Sequence, residues 1–261
     1  MPLENKCAVI TGSISGLGYA IAEKFAQAGA NVVLHGLENE EAALAAGERL
    51  RRRYGREVLV HRADLKYVSQ IEDLMEMASA RFGSVDIVVN NAVVRHFSPA
   101  EELLTEQWDE SLAVNLSAAF HMTRLAIPGM RRRGWGRILN ISSVYGCGAT
   151  ANRVGYVTTK TALIGMTRAI ALETATSGIT CNAVCPGTVP TPAITSRIAD
   201  LARQHGVSED RAALDYLAER QPTGRFVAME SVAAMLLFLC SEAGNDITGS
   251  VLPVDGGWTA R

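Results

Sequence analysis

A tyrosine and a lysine that could carry out proton transfer, Tyr156 and Lys160, stand four residues apart in the stretch VGYVTTKTAL. The chain has only four lysines and six tyrosines in 261 residues, so a chance pair at this spacing is uncommon. On a helix, residues at i and i+4 share one face, which places the ammonium beside the phenol. A phenol titrates near 10, and a base that works near neutral pH needs a pKa lower by roughly 3 units, about 4 kcal/mol. Because a bare pair is more often a surface tyrosine beside a solvated lysine, other features must support the chemistry.

Composition excludes several classes of function. A net charge of -2 argues against a nucleic-acid binder, which needs a concentrated basic face. The five cysteines lie mostly in apolar runs without metal-ligand spacing, so we expect reduced core thiols and no metal site. The N-terminus enters a strand-like run at once, and no apolar run is long enough to span a membrane. These features predict a cytoplasmic protein with no membrane partner.

Short apolar runs rich in β-branched residues alternate with helical patterns along the whole chain, which predicts an α/β protein. The expected strands are CAVIT, NVVLHG, VLVHRAD, DIVVNNA, RILNISS, ITCNAVCPG and SVLPVDGG. Helical patterns such as 17–28 and 68–82 separate them. We therefore predict a single domain over residues 1–261, a doubly wound (Rossmann) seven-stranded parallel sheet with helices on both faces. Such a sheet binds ligands at the carboxyl ends of its strands, and the charged helical stretch 190–226 is a candidate lid over that edge.

Three glycines follow the first strand directly and open the next helix: Gly12, Gly16 and Gly18. Glycine lets the backbone approach a pyrophosphate, and the helix N-terminus favours its charge. A glycine triplet alone is a weak signal, but its place after the first strand of an α/β pattern strengthens it. A dinucleotide is the predicted ligand.

The end of the second strand bears on which nicotinamide form binds, because an acid there holds ribose hydroxyls and an arginine accommodates a 2′-phosphate. No Arg or Lys occurs between Asn31 and Gly47, and Ser15 occupies the glycine loop where a basic residue could stand. Three acids follow the strand and would repel a phosphate: Glu38, Glu40 and Glu41. We therefore predict NAD rather than NADP, although His35 stands where the acid is usual.

Six features together are similar to those of the short-chain dehydrogenase/reductase family, and the match covers essentially the whole chain. They are TGSISGLG at 11–18, NNAV at 90–93, Asn115, NISS at 140–143, YVTTK at 156–160 and the Pro186-Gly187 pair. The resemblance implies hydride transfer between a nicotinamide and a carbinol or carbonyl carbon.

The same resemblance implies roles for four residues. Tyr156 is the acid/base, and Lys160 holds the nicotinamide ribose and lowers the pKa of the tyrosine. Ser143, 13 positions before the tyrosine, binds the substrate oxygen, whereas Ser142 is one residue too early. Asn115 supports a water relay. The residue types and their spacing lead to the same site. A serine that follows a strand and a helix face that carries Tyr156 and Lys160 can meet at the crevice where the strand order reverses.

Cofactor contacts are also implied by position in the family. They fall on Gly12, Ser15, Gly16, Leu17, Gly18, Asp64, Leu65, Asn91, Val189 and Thr191, together with Tyr156 and Lys160. One departure stands out: the family has NNAG where this chain has Val93. A β-branched side chain near the cofactor suggests a shifted loop.

Within the family, the chain resembles the bacterial D-3-hydroxybutyrate dehydrogenases through AVNLSAAFH, the Gln221-Pro222 pair and the terminal VDGGWTAR. The substrate positions differ from those of that group. Glutamine, histidine, lysine, tryptophan and glutamine are replaced here by Arg95, Tyr145, Arg153, Thr188 and Arg197. Arg153 and Arg197 also match two arginines that grip a sulfonate in a related hydroxypropyl-thioethanesulfonate dehydrogenase.

Loss of the tryptophan and histidine predicts a more open pocket, and the exchanges to arginine predict a more cationic one. An arginine fork suits bidentate binding of a carboxylate or sulfonate, and such a clamp fixes which carbon faces the nicotinamide. We therefore predict a substrate site formed by Arg95, Ser143, Tyr145, Arg153, Tyr156 and Arg197 that binds a small anionic hydroxy or keto acid. Any single arginine is more often a solvated surface residue, so the argument depends on three at pocket positions.

Two alternatives stay open. One keeps the chemistry and changes the substrate to a sulfonated, cyclic or neutral polyol-type alcohol. The other is a non-catalytic dinucleotide-binding scaffold or sensor, which has no need of all four of Asn115, Ser143, Tyr156 and Lys160. By analogy with the family, we expect a homotetramer.

Overall fold

The computed structural model describes residues 1–260, apart from the side chain of Ala193. Within these residues, seven strands form one sheet in the order β3-β2-β1-β4-β5-β6-β7, and every neighbouring pair runs parallel. The strands are β1 Cys7–Ile10, β2 Asn31–His35, β3 Val58–His61, β4 Ile87–Asn90, β5 Gly136–Ile141, β6 Ile179–Pro186 and β7 Val251–Val254. The predicted doubly wound parallel sheet is confirmed.

Helices connect the strands. They are α1 Gly16–Gln27, α2 Glu40–Tyr54, α3 Val68–Phe82, α4 Thr105–Leu112, α5 Ala118–Arg133, α6 Val144–Cys147, α7 Val154–Thr174, α8 Pro192–His205, α9 Glu209–Ala218 and α10 Met229–Cys240. A π-helical turn, Ala113–Ser117, joins α4 to α5. The helical patterns at 17–28 and 68–82 thus form α1 and α3, and the proposed lid stretch contains α8 and α9.

Alternate residues of the central strands enter two separate apolar clusters. Ile10 and Leu34 pack with Phe25 of α1, whereas Val9 and Val33 pack with the side of the sheet that α3 and α5 cover. Successive side chains of a strand point to opposite faces, so a strand that is apolar throughout must be covered on both. Because the covered strands all run parallel, their carboxyl ends lie at one edge of the sheet.

The loops after β1 and β4 are joined at the point where the strand order reverses. Thr11 donates its backbone N–H to the Val89 carbonyl at 3.0 Å. Its Oγ1 accepts from the backbone N–H groups of Asn91 and Ala92, both at 3.0 Å. Open α/β sheets bind ligands at this switch point. One threonine side chain therefore fixes the two loops that border the crevice.

The stretch that carries α8 and α9, residues 188–227, is called the α8–α9 segment below. Its two ends meet at a backbone hydrogen bond from Val227 N–H to the Thr188 carbonyl at 2.9 Å. The side-chain amide of Gln221, which is buried, accepts from the Thr188 N–H and donates to the Arg225 carbonyl. The segment is therefore closed at its base by one buried amide.

No helix within the described residues is long and apolar enough to cross a membrane.

Replacing the buried amide should loosen the base of the α8–α9 segment. Gln221→Ala leaves the Thr188 N–H without its acceptor, which costs about 1–3 kcal/mol and lowers Tm by several degrees. Gln204→Ala, an exposed glutamine on α8, is the matched control and should leave Tm unchanged. Equal Tm values for the two variants, measured by calorimetry, would contradict this role of Gln221.

Candidate active site

Lys160 lies at the centre of the site because its side chain is buried against the end of β5. Its Nζ donates to the Ile141 carbonyl at 2.6 Å, and the residue is only 2% exposed. Burial, and secondarily the charge of Arg95, lower the pKa of Lys160 to about 7. A buried titratable group whose pKa is shifted this far is typical of a functional site.

The phenol of Tyr156 lies beside this lysine, as the shared helix face predicted. Lys160 Nζ is 5.8 Å from the ring centroid of Tyr156, and the tyrosine is buried. The guanidinium carbon of Arg95, from the loop after β4, is 5.5 Å from the same centroid. Two cationic side chains therefore lie near the ring of Tyr156.

The two serines after β5 have different partners. Ser143 is buried, and its Oγ accepts from the Tyr145 N–H at 3.2 Å at the start of α6. Because it accepts there, its hydroxyl proton is available for a substrate oxygen. Ser142 instead donates its hydroxyl to the Lys160 carbonyl at 2.8 Å. Ser142, the residue directly after the lysine's own acceptor Ile141, thus ties the end of β5 to α7.

Asn115 sits in the π-helical turn and is buried. Its Oδ1 accepts from the Val94 N–H at 2.8 Å, and its Nδ2 donates to the Val94 carbonyl at 3.0 Å. Nδ2 also approaches Thr159 Oγ1 at 3.4 Å. The side-chain amide therefore holds the backbone just before Arg95 and links it to α7.

The loop between β1 and α1 has no room for a side chain at Gly12 or Gly18. A Cβ on Gly18 would stand 2.1 Å from the Gly12 carbonyl oxygen, and one on Gly12 would stand 3.0 Å from Ala92 Cα. Gly16 adopts φ +58° and has open space before it. This cradle, closed behind and open in front, fits a pyrophosphate at the N-terminus of α1.

Ser15 precedes α1 but does not cap it. Its hydroxyl donates to Glu38 Oε1 at 3.2 Å, and no acidic residue lies in the first turn of the helix. The first N–H groups of α1 are therefore free of side-chain partners and can meet an anion. The other carboxylate oxygen of Glu38 lies over Gly36, where a Cβ would be 2.2 Å from it. A carboxylate from the loop after β2 therefore lies beside the glycine loop.

His35, which stands where the family acid is usual, faces inward. Its Nδ1 accepts from the Gly12 N–H at 3.1 Å, and its Nε2 lies 2.8 Å from the Ala63 carbonyl. These partners require the neutral ring with its proton on Nε2. Burial lowers the pKa of His35 below its usual value. His35 therefore braces the glycine loop and does not point toward a ribose.

The remaining positions matched to the cofactor lie around the same crevice. Asn91 donates from Nδ2 to the carbonyls of Thr11 and Gly12, both at 2.8 Å, so it supports the glycine loop from behind. Leu65 is buried, and Asp64 is partly buried beside Lys66. Two residues bracket the path from β6 to α8, namely Val189, which is buried, and Thr191, which precedes the helix. Leu17 follows Gly16 in the first turn of α1.

Val93 needs no glycine-like backbone. Among the described residues, the non-glycine positions with positive φ are Asn5 and Asn152, so Val93 lies in a region that a β-branched residue adopts freely. The neighbouring Ala92 and Val94 are fixed by Thr11 and Asn115. The loop therefore carries a valine here without strain.

The expected substrate residues divide into two places. Arg95 lies at Tyr156, and the Arg153 guanidinium carbon stacks on Phe97 at 4.4 Å and on Tyr145 at 5.7 Å from the ring centroids. Tyr145 in turn contacts Trp258 edge-on, with ring centroids 5.4 Å apart. An aromatic wall thus holds Arg153 by its faces and leaves its N–H edge open.

Arg197 is placed elsewhere. It lines a groove of about 390 Å³ between α8 and α9, together with Leu201, His205, Tyr216 and Arg220. Ile198 and Ala202 pack against Ala212 of α9, which turns the neighbouring Arg197 toward this groove. The structure therefore does not bring Arg197 together with Arg95 and Arg153.

Sequence reasoning missed several residues that build the site. Thr11 joins the two loops, Phe97 and Trp258 form the aromatic wall, and the Ile141 carbonyl accepts from Lys160. A threonine directly before the glycine loop was a usable signal for the first. A backbone carbonyl carries no signal in the sequence, because every residue has one.

A glycine cradle at the switch point and a buried Tyr/Lys pair at the end of β5 define an oxidoreductase that binds a dinucleotide. A family profile described as Enoyl-(Acyl carrier protein) reductase matches residues 12–259. The D-beta-hydroxybutyrate dehydrogenase of Cupriavidus necator is 41% identical over 99% of this chain and 100% of its own length. That of Rhizobium meliloti is 43% identical over 98% of this chain and 99% of its own. The chain belongs to the short-chain dehydrogenase/reductase family.

A solved structure is also closely similar. L-sorbose reductase from Gluconobacter frateurii, complexed with NADPH and L-sorbose, aligns with a TM-score of 0.95 at 32% identity over 100% of both chains. The identities of 41% and 43% confirm the predicted relationship to D-3-hydroxybutyrate dehydrogenases. Binding of a nicotinamide dinucleotide and action on an alcohol group follow from membership of the family.

Acid should weaken cofactor binding through His35. Its native pKa is lowered, so the neutral ring is stable above the unfolded value near 6.5, and that stability is lost as pH falls. Protonation of Nδ1 removes the acceptor of the Gly12 N–H. We expect NADH affinity, followed by fluorescence from about pH 7.5 to pH 5, to fall less in His35→Gln than in the wild type.

The matched control is His205→Gln, an exposed histidine on α8, which should keep the wild-type pH dependence. Parallel affinity curves for wild type and His35→Gln would show that the loop does not depend on the neutral ring.

Proposed function

We propose that the protein is an NAD-dependent dehydrogenase that interconverts the alcohol and ketone forms of a short anionic hydroxy acid similar to 3-hydroxybutyrate. The observation that carries the proposal is the pair Arg95 and Arg153 beside Tyr156. Neither arginine forms an ion pair with an acid in the described residues, although both lie at the mouth of the site. The similarity to two D-beta-hydroxybutyrate dehydrogenases supports a short carbon chain in the substrate.

The chain's own groups divide the work of oxidation. Ser143 donates a hydrogen bond to the substrate oxygen, and Tyr156 removes the hydroxyl proton as the carbonyl forms. Lys160 stabilises the phenolate, while Arg153 orients the carboxylate so that the carbinol carbon faces the nicotinamide. The bound nicotinamide supplies the hydride acceptor. The cradle of Gly12, Gly16 and Gly18 and the N-terminus of α1 would hold its pyrophosphate.

The preference for NAD is supported by Glu38. Its carboxylate lies between Ser15 and Gly36, at the end of β2, where an added 2′-phosphate would meet a negative charge. The similar L-sorbose reductase was solved with NADPH, so this fold is compatible with the phosphorylated form as well. The preference in this chain therefore depends on local charge.

The α8–α9 segment is proposed as a lid. It begins and ends at the carboxyl edge of the sheet, beside the path from β6 that carries Val189 and Thr191. Closure over the crevice would exclude water and complete the anion site with Arg197. Assembly as a homotetramer stays a prediction from the family, and a cytoplasmic location stays a prediction from the sequence.

A neutral polyol is the second candidate substrate. It is favoured by the similarity in structure to L-sorbose reductase, which was solved in complex with the sugar L-sorbose. The arginines separate the two candidates, because a neutral alcohol has no charge for them to bind.

We expect reduction of NAD by the purified protein with (R)- or (S)-3-hydroxybutyrate and related hydroxy acids, and far slower reduction of NADP. Arg153→Gln should raise KM for the acid by roughly 10- to 100-fold with little change in kcat, since a charged hydrogen bond contributes about 1.5–3 kcal/mol. Arg168→Gln, an exposed arginine on the same helix, is the control of equal charge.

Two results would count against this function. Turnover of sorbose-like polyols without turnover of hydroxy acids would favour the second candidate. Absence of turnover on every substrate, with NADH binding intact, would favour a dinucleotide-binding scaffold.

A further inference from the structure

Phe97 lies in the loop after β4 with most of its side chain in solvent. Phenylalanine is most often buried in folded proteins, yet this one is 62% exposed and contributes little to the core. The guanidinium carbon of Arg153 is 4.4 Å from the ring centroid of Phe97 and 5.7 Å from that of Tyr145. The exposed ring is therefore in contact with the arginine that is proposed to bind the substrate carboxylate.

This contact orients Arg153 without using its N–H groups. In the part of the chain that the structure describes, the Arg153 side chain caps no helix and pairs with no carboxylate. A carboxylate partner would occupy N–H donors and offset the charge. An aromatic face instead holds the plane of the guanidinium and leaves all five donors at its edge. Stacking is thus a contact that leaves an arginine able to bind an anion.

The backbone joins the two elements that carry the stacked pair. Arg153 is the residue directly before α7, and the residue before it, Asn152, has a φ of +61°. Asparagine adopts this left-handed conformation more readily than most residues. Ser98 donates its N–H to the Asn152 carbonyl at 3.1 Å. The neighbours of Phe97 and Arg153 are therefore hydrogen-bonded to each other, which keeps the ring beside the guanidinium.

We propose that Phe97 is a positioning residue of the anion subsite, which holds the guanidinium of Arg153 with its N–H edge available to the substrate carboxylate. Phe97 acts through Arg153 and is not a catalytic residue. The inference rests on the proposed function and adds to it a determinant of specificity outside the catalytic set. Because a guanidinium that is already held loses less rotamer freedom on binding, the effect of Phe97 is on affinity for the anion.

A guanidinium held in one place also selects the length of the substrate. Arg153 sets where the carboxylate lies, while the carbinol oxygen must still reach Ser143 and Tyr156. The number of carbons between the two groups is therefore restricted. An arginine released from Phe97 reaches more positions, so the preference among 2-hydroxy, 3-hydroxy and 4-hydroxy acids should become weaker.

The kinetic test is Phe97→Ala in the full-length enzyme supplied with NAD. KM for 3-hydroxybutyrate should rise about 3- to 10-fold, the loss expected from one cation–π contact, with little change in kcat or in KM for a neutral secondary alcohol. Phe97→Trp keeps an aromatic face and should restore most of the affinity, whereas Phe97→Leu should behave like Phe97→Ala. Phe238→Ala, at an exposed phenylalanine on α10, is the matched control and should leave KM unchanged.

A double-mutant cycle separates positioning from direct contact with the substrate. If Phe97 acts through Arg153, Phe97→Ala should have little effect on KM in an Arg153→Gln background. An equal rise of KM in both backgrounds would overturn the proposal, because the ring would then bind the substrate itself. An unchanged KM in the Phe97→Ala protein would overturn it as well.

Binding of butyrate tests the inference without turnover. Butyrate has the carboxylate but no hydroxyl to oxidise, so its Kd for the enzyme–NADH complex, measured by calorimetry, reports the anion subsite. This Kd should rise in Phe97→Ala and in Arg153→Gln. Should the wild type oxidise neutral alcohols only, a weaker affinity of Phe97→Ala for butyrate would reject the proposed substrate and support the role of Phe97. Equal Kd values for wild type and Phe97→Ala, or no binding to the wild type, would overturn the inference whatever the substrate.

Discussion

The hydrogen bond from Lys160 Nζ to the Ile141 carbonyl is the interaction on which the site depends. A buried ammonium needs acceptors, and the last residue of β5 supplies one at the edge where the parallel strands end. This bond fixes α7 against the sheet, and α7 carries Tyr156 one turn earlier. Ser142 reinforces the same junction by donating to the Lys160 carbonyl. This hydrogen bond thus holds Lys160 and the helix that carries Tyr156 against the end of β5, where Ser143 follows.

On the cofactor side of the site, polar side chains position the loops by hydrogen bonds to backbone groups. Thr11 joins the loops after β1 and β4, Asn91 supports the carbonyls of Thr11 and Gly12, and His35 accepts from the Gly12 N–H. Each side chain bonds the backbone of the glycine loop or of its neighbour. The open face of the cradle is consequently left to a ligand, which is what an N-terminus without a side-chain cap requires.

The seven strands and the position of the Tyr/Lys pair could be predicted from the sequence, since strand runs and i, i+4 spacing are local properties. The glycine cradle was predictable for the same reason. The hydrogen-bond partners of His35 and Asn115 could not be, because they are backbone groups distant in the chain, at Ala63 and at Val94. A match of position with a family names a residue type but does not fix where its side chain is directed.

Arg197 illustrates this limit. Its spacing from Pro192 suggested a substrate contact, whereas the structure places it in the groove between α8 and α9. The rotation of α8 about its axis is decided by how Ile198 and Ala202 pack on α9, which the sequence of α8 alone does not contain. Arg95 is the converse case, since its interaction with Tyr156 depends on a loop held by Asn115.

The central claim is that Tyr156 moves the proton in a site that otherwise binds and orients its ligands. The most direct test is Tyr156→Phe, which removes one hydroxyl and keeps the ring between its cations. We expect kcat for alcohol oxidation to fall by at least about 10²- to 10⁴-fold, while the Kd for NADH stays close to that of the wild type. Substantial remaining kcat with normal NADH binding would contradict the claim and assign the proton transfer to another group.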